Sequence, residues 1–118
     1  MIIAGMYLDV TKGVPSTTGR PRIVKVIDTE VSLMWTQPDS DGGSKITEYL
    51  IAYVTASGCQ AQDVTVGVTT TAKVKKTISE GTTYIFAVAA QNARGFGDFS
   101  AFSEEVEIPN YADGNLFL

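Results

Sequence analysis

The segment from residue 78 to residue 92 constrains the fold more than any other part of the chain. It reads Ile-Ser-Glu-Gly-Thr-Thr-Tyr-Ile-Phe-Ala-Val-Ala-Ala-Gln-Asn. Residues 79–81 form a turn signal, since Gly81 can adopt backbone angles that other residues avoid. Large or apolar side chains then occupy alternate positions, at Tyr84, Phe86, Val88 and Ala90. Successive side chains of a strand point to opposite faces, so this spacing predicts a strand that buries one face in a core.

The rest of the sequence is also typical of strands. The 118 residues include 12 Val, 9 Ile and 14 Thr, and β-branched side chains suit a pleated, half-buried surface. No segment of helical length shows the 3.6-residue apolar period of a packed helix. We therefore expect one all-β domain, because the chain is too short for two ordinary domains.

Turn signals divide the sequence into seven short strands. We predict strands at residues 22–27, 30–36, 46–55, 64–68, 71–76, 82–92 and 102–108. Seven short strands separated by Gly, Pro, Asp and Ser clusters are typical of an antiparallel Greek-key β-sandwich of the immunoglobulin-like class. Residues 1–19 are predicted to be a linker or the remnant of an upstream domain, residues 20–109 the folded domain, and residues 110–118 a C-terminal tail.

Three segments, in order along the chain, carry a resemblance to a known family. They are Val31-x-Leu33-x-Trp35 with Pro38 and Asp41-Gly42-Gly43; Ile46-x-x-Tyr49-x-Ile51-x-Tyr53; and Ile78-x-x-Gly81-x-x-Tyr84-x-Phe86-x-Val88-x-Ala90-x-Asn92 with Gly95-x-Gly97. Together they resemble a fibronectin type III domain, over about residues 20–109. The wording from Pro38 to Tyr49 is similar to copies in giant muscle proteins and in neural adhesion receptors, without choosing between them.

The resemblance implies roles for three aromatic residues. Trp35 and Tyr49 would belong to the core between the sheets, and Tyr84 would form a tyrosine corner, its hydroxyl bonding to backbone a few residues upstream. It also implies a non-catalytic module that spaces domains and binds other proteins within a larger multidomain chain. The alternative is an accessory, carbohydrate-associated domain of a secreted enzyme, for which the sequence offers Phe96, Phe99 and Phe102 as exposed aromatics.

Residues 93–99, called the 93–99 loop below, hold the candidate binding residues. They are Arg94, Phe96, Asp98 and Phe99. Exposed aromatic side chains give contact area at small entropic cost and often anchor interfaces. Some members of the family carry Arg-Gly-Asp here, but this chain has Arg-Gly-Phe, so integrin binding by that motif is unsupported. The expected partners are other proteins, of unknown identity, and neighbouring domains of the same chain.

Charge and length argue against two other classes of partner. The formal net charge is −4, whereas nucleic acids need Lys and Arg to neutralise their phosphates and anionic membranes attract basic segments. No apolar run approaches the roughly 18 residues of a transmembrane helix. We therefore expect no nucleic acid binding and no membrane insertion by this segment.

The residue types also argue against chemistry. The absence of histidine excludes a Ser/His/Asp or Cys/His arrangement. Asp39, Asp41 and Asp63 are calcium-ligand types, but their spacing is not that of an EF-hand, and turn capping explains the first two. We expect no catalysis, cofactor or metal. The lone Cys59 cannot form an intrachain disulfide, and the sequence contains no Asn-x-Ser/Thr glycosylation acceptor. Both observations lean toward an intracellular location, while the extracellular part of a receptor stays open.

Charged residues cluster by strand. Lys73, Lys75 and Lys76 lie in one predicted strand, and Glu104, Glu105 and Glu107 lie in another. The resemblance implies that these strands belong to different sheets. The two faces of the sandwich are then expected to differ in sign. Ordinary solvated faces explain such clusters too, since Lys is common on exposed sheet edges.

Overall fold

The computed structural model describes residues 13–58 and 61–110. These residues form eight strands: β1 Arg22–Ile27, β2 Glu30–Met34, β3 Glu48–Thr55, β4 Ala61–Val66, β5 Thr71–Val74, β6 Thr83–Asn92, β7 Gly95–Phe96 and β8 Val106–Glu107. Within this part of the chain there is no helix of the length and apolarity needed to cross a membrane.

The strands form two antiparallel sheets. One is three-stranded, in the order β1-β2-β5. The other is five-stranded, in the order β4-β3-β6-β7, with β8 also pairing with β6. The longest ladder joins β3 to β6, from Glu48 opposite Gln91 to Thr55 opposite Tyr84. The predicted all-β antiparallel sandwich is confirmed.

The core lies between the two sheets and is built from alternate residues of the central strands. Its buried members include Val31, Leu33, Trp35, Tyr49, Ile51, Tyr53, Phe86 and Val88. Aromatic rings meet across it, with Trp35 edge-on to Tyr49 at a centroid distance of 5.5 Å and Tyr53 beside Phe86 at 5.4 Å. Such pairs add to the stabilisation from apolar burial. The alternation in the sequence is thus the alternation between core and outer face.

One strand, which pairs with β3, begins and ends earlier in the chain than predicted. Residues 64–68 are predicted as a strand, but the observed strand is β4, Ala61–Val66, which pairs from Val54 opposite Ala61 to Tyr49 opposite Val66. Gln62 and Asp63 are exposed, so a sheet edge accommodates polar side chains that resemble a loop in the sequence. Edge strands commonly carry such residues.

The last predicted strand, residues 102–108, is only partly a strand. Regular pairing is limited to β8, at Val106 and Glu107, while β7 forms within the 93–99 loop. Between them, the backbone N–H groups of Gly97, Ser100 and Ser103 donate to the carbonyls of Ala90, Val88 and Phe86 at 2.8, 2.9 and 2.7 Å. Three residues of this segment therefore span two residues of β6, which prevents a regular ladder.

Part of the segment predicted to be a linker is in contact with the sandwich. The N–H groups of Gly13 and Ser16 donate to the carbonyls of Gly42 and Ser40 at 2.7 and 2.9 Å. The Thr18 hydroxyl donates to the Val88 carbonyl at 3.3 Å, and Thr18 is buried. The predictions for residues 1–12, for Cys59 and for residues 111–118 lie outside the described residues.

Candidate protein-binding surface

The 93–99 loop begins as a tight β-hairpin. Asn92 pairs with Gly95, so that Ala93 and Arg94 form a two-residue turn at its tip. The Arg94 N–H donates to Oδ1 of Asn92 at 2.8 Å. Gly95 has a φ of 130°, which a side chain would strain, and this explains the glycine. Arg94 is exposed at the tip.

Asn92 ties this hairpin to two other segments. Its Nδ2 donates to the carbonyls of Gly13 and Asp41 at 2.7 and 2.6 Å. The residue is only 2% exposed, so water has little access to its side-chain amide and losing a partner is costly. In the sequence, Asn92 is only the last position of a strand motif. The contacts that give it a role are with Asp41, 51 positions away, and with Gly13, 79 positions away.

Three phenylalanines lie on the outer face of the five-stranded sheet. Phe96 is the cross-strand partner of Gln91, and Gln91 points away from the core because Ala90 and Asn92 on either side are buried. Phe99 and Phe102 lie farther along, beside Ala87. The three residues are 39%, 46% and 47% exposed, respectively. The structure therefore brings two of the predicted residues, Phe96 and Phe99, to one face.

An open groove of about 370 Å³ lies beside Phe99 and Phe102. Its lining is mainly apolar and includes Ala52, Val54 and Ala87 of β3 and β6. Ala52 and Ala87 are direct cross-strand partners. The sequence analysis did not single out these small residues. The available signal was the unbroken apolar run from Ile85 to Ala90, since strands that are covered on both faces lack alternation.

The two polar candidates of the loop lie apart from this groove. Arg94 is at the hairpin tip, and Asp98 is exposed between Gly97 and Phe99. Neither lines the groove. An apolar surface with charged residues at its margin resembles the core and rim of a protein interface.

Tyr84 lies at the opposite end of β6. Its hydroxyl accepts a hydrogen bond from the Ser79 N–H at 2.9 Å and donates to the Thr77 carbonyl at 3.3 Å. These are the bonds of a tyrosine corner, and they brace the connection between β5 and β6. The ring is buried against Tyr53, with a centroid distance of 6.2 Å. Tyr84 therefore supports the scaffold and is remote from the exposed phenylalanines.

The buried polar groups of the core belong to the scaffold as well. Burial raises the pKa of the Tyr49 phenol, because desolvation disfavours the charged form. Trp35 Nε1 is buried and has no hydrogen-bond partner among the described residues. Its ring instead packs edge-on to Tyr49.

The acidic residues considered for calcium do not converge on one site. Asp41 Oδ1 accepts a hydrogen bond from the Gly43 N–H at 2.8 Å, as in a capped turn. Asp63 lies in β4, opposite Ala52, on a different element from Asp39 and Asp41. Across residues 13–58 and 61–110, no three His, Cys, Asp or Glu side chains come together as metal ligands would.

Two curated proteins contain a segment similar in sequence to most of this chain. Roundabout homolog 1 of Homo sapiens is 35% identical over 95 residues, which are 80% of this chain and 6% of that protein. Protein sax-3 of Caenorhabditis elegans is 34% identical over 90 residues, 75% of this chain and 7% of that protein. The chain thus spans only a small fraction of the curated relatives it matches.

Solved structures show the same architecture. The titin kinase with its flanking domains matches with a TM-score of 0.74 and 30% identity, covering 89% of this chain and 19% of that one. The twitchin kinase region from Caenorhabditis elegans matches with a TM-score of 0.76 and 28% identity, covering 81% and 17%. The family model described as "Fibronectin type III domain" matches residues 15–106. The chain therefore belongs to the fibronectin type III family.

Proposed function

We propose that this domain is a non-catalytic spacer and protein-interaction module of a larger multidomain protein, either an adhesion receptor or a muscle-type scaffold. The observation that carries the proposal is the set of exposed phenylalanines, Phe96, Phe99 and Phe102, on one sheet face, where Phe99 and Phe102 line an apolar groove. The likeness to domains of Roundabout and titin proteins supports it.

The spacer role is supported by the path of the chain. Gly13 is held beside Asn92, at the end of β6, whereas Asn110 lies next to Gly81, just before β6 begins. The ten residues of β6 correspond to roughly 30–35 Å of extended chain. A domain entered at one end and left at the other separates its neighbours by about that length.

The recognition role is supported by the exposure of the rings. An exposed aromatic side chain loses water contact when a partner covers it, and a few such anchor residues can carry most of the binding energy of an interface. Ala52 and Ala87 leave room beside Phe99 for a side chain of the partner. Arg94 and Asp98 would contribute to the polar rim, where charges affect association rate and specificity more than affinity.

The second candidate is an accessory carbohydrate-binding domain of a secreted enzyme. The three phenylalanines on one face favour it, because sugar rings stack on exposed aromatics. The lining of the groove argues for a protein instead, since Ala52, Val54 and Ala87 offer no side-chain hydrogen bonds to sugar hydroxyls. Binding to a panel of immobilised oligosaccharides that is lost in the Phe99→Ala variant would favour this candidate.

Quantitative affinity capture with paired variants tests the proposal. The full 118-residue chain would be compared with a Phe96→Ala/Phe99→Ala variant and with Val68→Ala, which removes a 68% exposed apolar side chain elsewhere. We expect the recovery of at least one captured protein to fall about tenfold with the double variant and to be unchanged with the Val68→Ala control. Equal recovery of every protein by all three, at equal melting temperatures, would refute recognition through this face.

A further inference from the structure

The two sheets carry opposite charges on their strands. In the described part of the chain, the strands of the three-stranded sheet contain Arg22, Lys25 and Lys73 against one acidic residue, Glu30. The strands of the five-stranded sheet contain Glu48, Asp63 and Glu107 and no Lys or Arg. A basic face on a chain of net charge −4 is a local feature that the overall composition conceals.

The register of the three-stranded sheet aligns two of these lysines. Lys25 of β1 is the direct partner of Ser32 of β2, and Ser32 is the direct partner of Lys73 of β5. Direct partners share a face, so both lysines flank Ser32, about 10 Å apart across two strand spacings. Within the described part of the chain, no ion pair or hydrogen bond engages either ammonium group. Two like charges beside one serine do not stabilise the sheet.

A groove of about 320 Å³ lies between these lysines. Its lining is apolar for the most part and includes Val24, Met34 and Ala72, with Ser32 also lining it. Val24 is displaced at an irregularity in the pairing of β1 with β2 and is 54% exposed. The groove therefore offers apolar contact between two cationic margins.

We propose that this face, called the Lys25–Lys73 face, docks an acidic peptide segment of a partner protein, with an apolar side chain in the groove and carboxylates on both sides of it. Charge complementarity selects the occupant: carboxylates would neutralise the two lysines, and the apolar lining favours a peptide side chain between them. Arg22, one register row away opposite Met34, extends the positive margin.

This surface is separate from the exposed phenylalanines, because it lies on the other sheet. A partner could occupy both faces of the domain at once. The docking of an acidic segment does not depend on the function proposed above, and the two can fail independently.

Fluorescence anisotropy with defined peptides tests the proposal on the full chain. The probe is a labelled peptide Ser-Glu-Leu-Glu-Ser-Glu-Leu-Glu; one companion has Lys in place of Glu, and another has Ser in place of Leu. We expect binding of the first peptide only, weakened by added salt because the Coulomb attraction is screened. Amide shifts in NMR spectra are expected in β1, β2 and β5.

Matched variants identify the lysines. Lys25→Gln/Lys73→Gln should weaken binding roughly tenfold through the loss of two exposed ion pairs, whereas Lys45→Gln/Arg94→Gln, which removes two exposed positive charges outside this sheet, should leave it unchanged. The charge reversal Lys25→Glu/Lys73→Glu should bind the Lys peptide instead. Phe96→Ala/Phe99→Ala should bind the acidic peptide as the unmodified chain does.

Three outcomes would overturn the proposal. One is equal affinity of the two Gln double variants. Another is shifts centred on the 93–99 loop. The third combines two results: the peptide with Ser in place of Leu binds as tightly as the Leu peptide, and dextran sulfate or phosphatidylserine vesicles also bind the domain through the same lysines. That result would make the face a general polyanion surface.

Discussion

The two edges of β6 are held in different ways. On one side, β3 pairs with it over eight successive residues, from Glu48 to Thr55. On the other side, regular pairing occurs only at the ends, with β7 and β8. Between them the hydroxyls of Ser100 and Ser103 accept hydrogen bonds from the N–H groups of Val88 and Phe86, at 3.1 and 3.0 Å.

This difference separates positions that tolerate change from positions that do not. A backbone ladder is made by any residue except proline, so the β3 edge constrains side chains only through burial. The opposite edge needs a hydroxyl every third residue to satisfy buried donors of β6. It also needs Gly97, whose missing Cβ makes room for the carbonyl oxygen of Pro15. The two edges of one strand are thus held in different ways, one by backbone bonds that almost any residue can make and the other by bonds that require particular residues.

The largest expected effect is from removing both serine hydroxyls. Ser100→Ala/Ser103→Ala leaves two buried N–H groups without acceptors, at a cost of about 2–4 kcal/mol in the free energy of unfolding. Urea unfolding would measure it. Thr65→Ala, an exposed change in a strand held by the backbone ladder with β3, should cost less than about 0.5 kcal/mol. Similar losses for both variants would mean that the serine hydroxyls beside β6 stabilise the fold no more than an exposed side chain in a strand held by a backbone ladder.

A smaller effect is expected at Gly97. Gly97→Ala places a Cβ against the Pro15 carbonyl and should cost about 1–3 kcal/mol by overpacking, with faster hydrogen exchange at the Ser16 amide as this segment loosens. Gly67→Ala is the matched control, since no atom lies within 4 Å of a Cβ there. If the two alanines were equally tolerated, the close contact would not constrain this edge.

The smallest effect is expected at the foot of β6, where both neighbours pair regularly with it. Tyr84→Phe keeps the ring but removes the hydroxyl that bonds to Ser79 and Thr77. We expect a loss of about 1 kcal/mol, seen as a lower denaturation midpoint at unchanged slope. An unchanged midpoint would mean that the tyrosine corner does not stabilise the connection between β5 and β6.

Much of the fold could be predicted because its signals are local. The alternation of Tyr84, Phe86 and Val88 identifies the core-facing side of a strand, and the resemblance in residues 78–92 indicates the corner. The segment that follows the β6–β7 hairpin was harder to predict. Residues 97–105 contain no regular strand because three residues of this segment span two residues of β6. Serine hydroxyls take the place of backbone carbonyls as acceptors for two N–H groups of β6, and no periodic pattern in the sequence reports such bonds.

The candidate surface was predictable only in part. Phe96 and Phe99 stand out in the sequence as aromatics among glycines, and Phe102 was named for the alternative function. Their common face follows from the pairing of Phe96 with Gln91 and from the groove that Phe99 and Phe102 share with Ala87. Neither relation can be read from spacing, since Ala87 and Phe102 are 15 positions apart.

The sequence by itself determined which side chains turn inward, because a strand alternates its faces whatever lies beside it. It also determined the family, through motifs that each lie within a short segment. Only the tertiary structure decided which outward residues become neighbours: Lys25 with Lys73 across Ser32, and Phe99 with Ala52. The physical reason is register, since which residues face each other across strands depends on how distant segments align, and a shift by one residue would exchange the two faces.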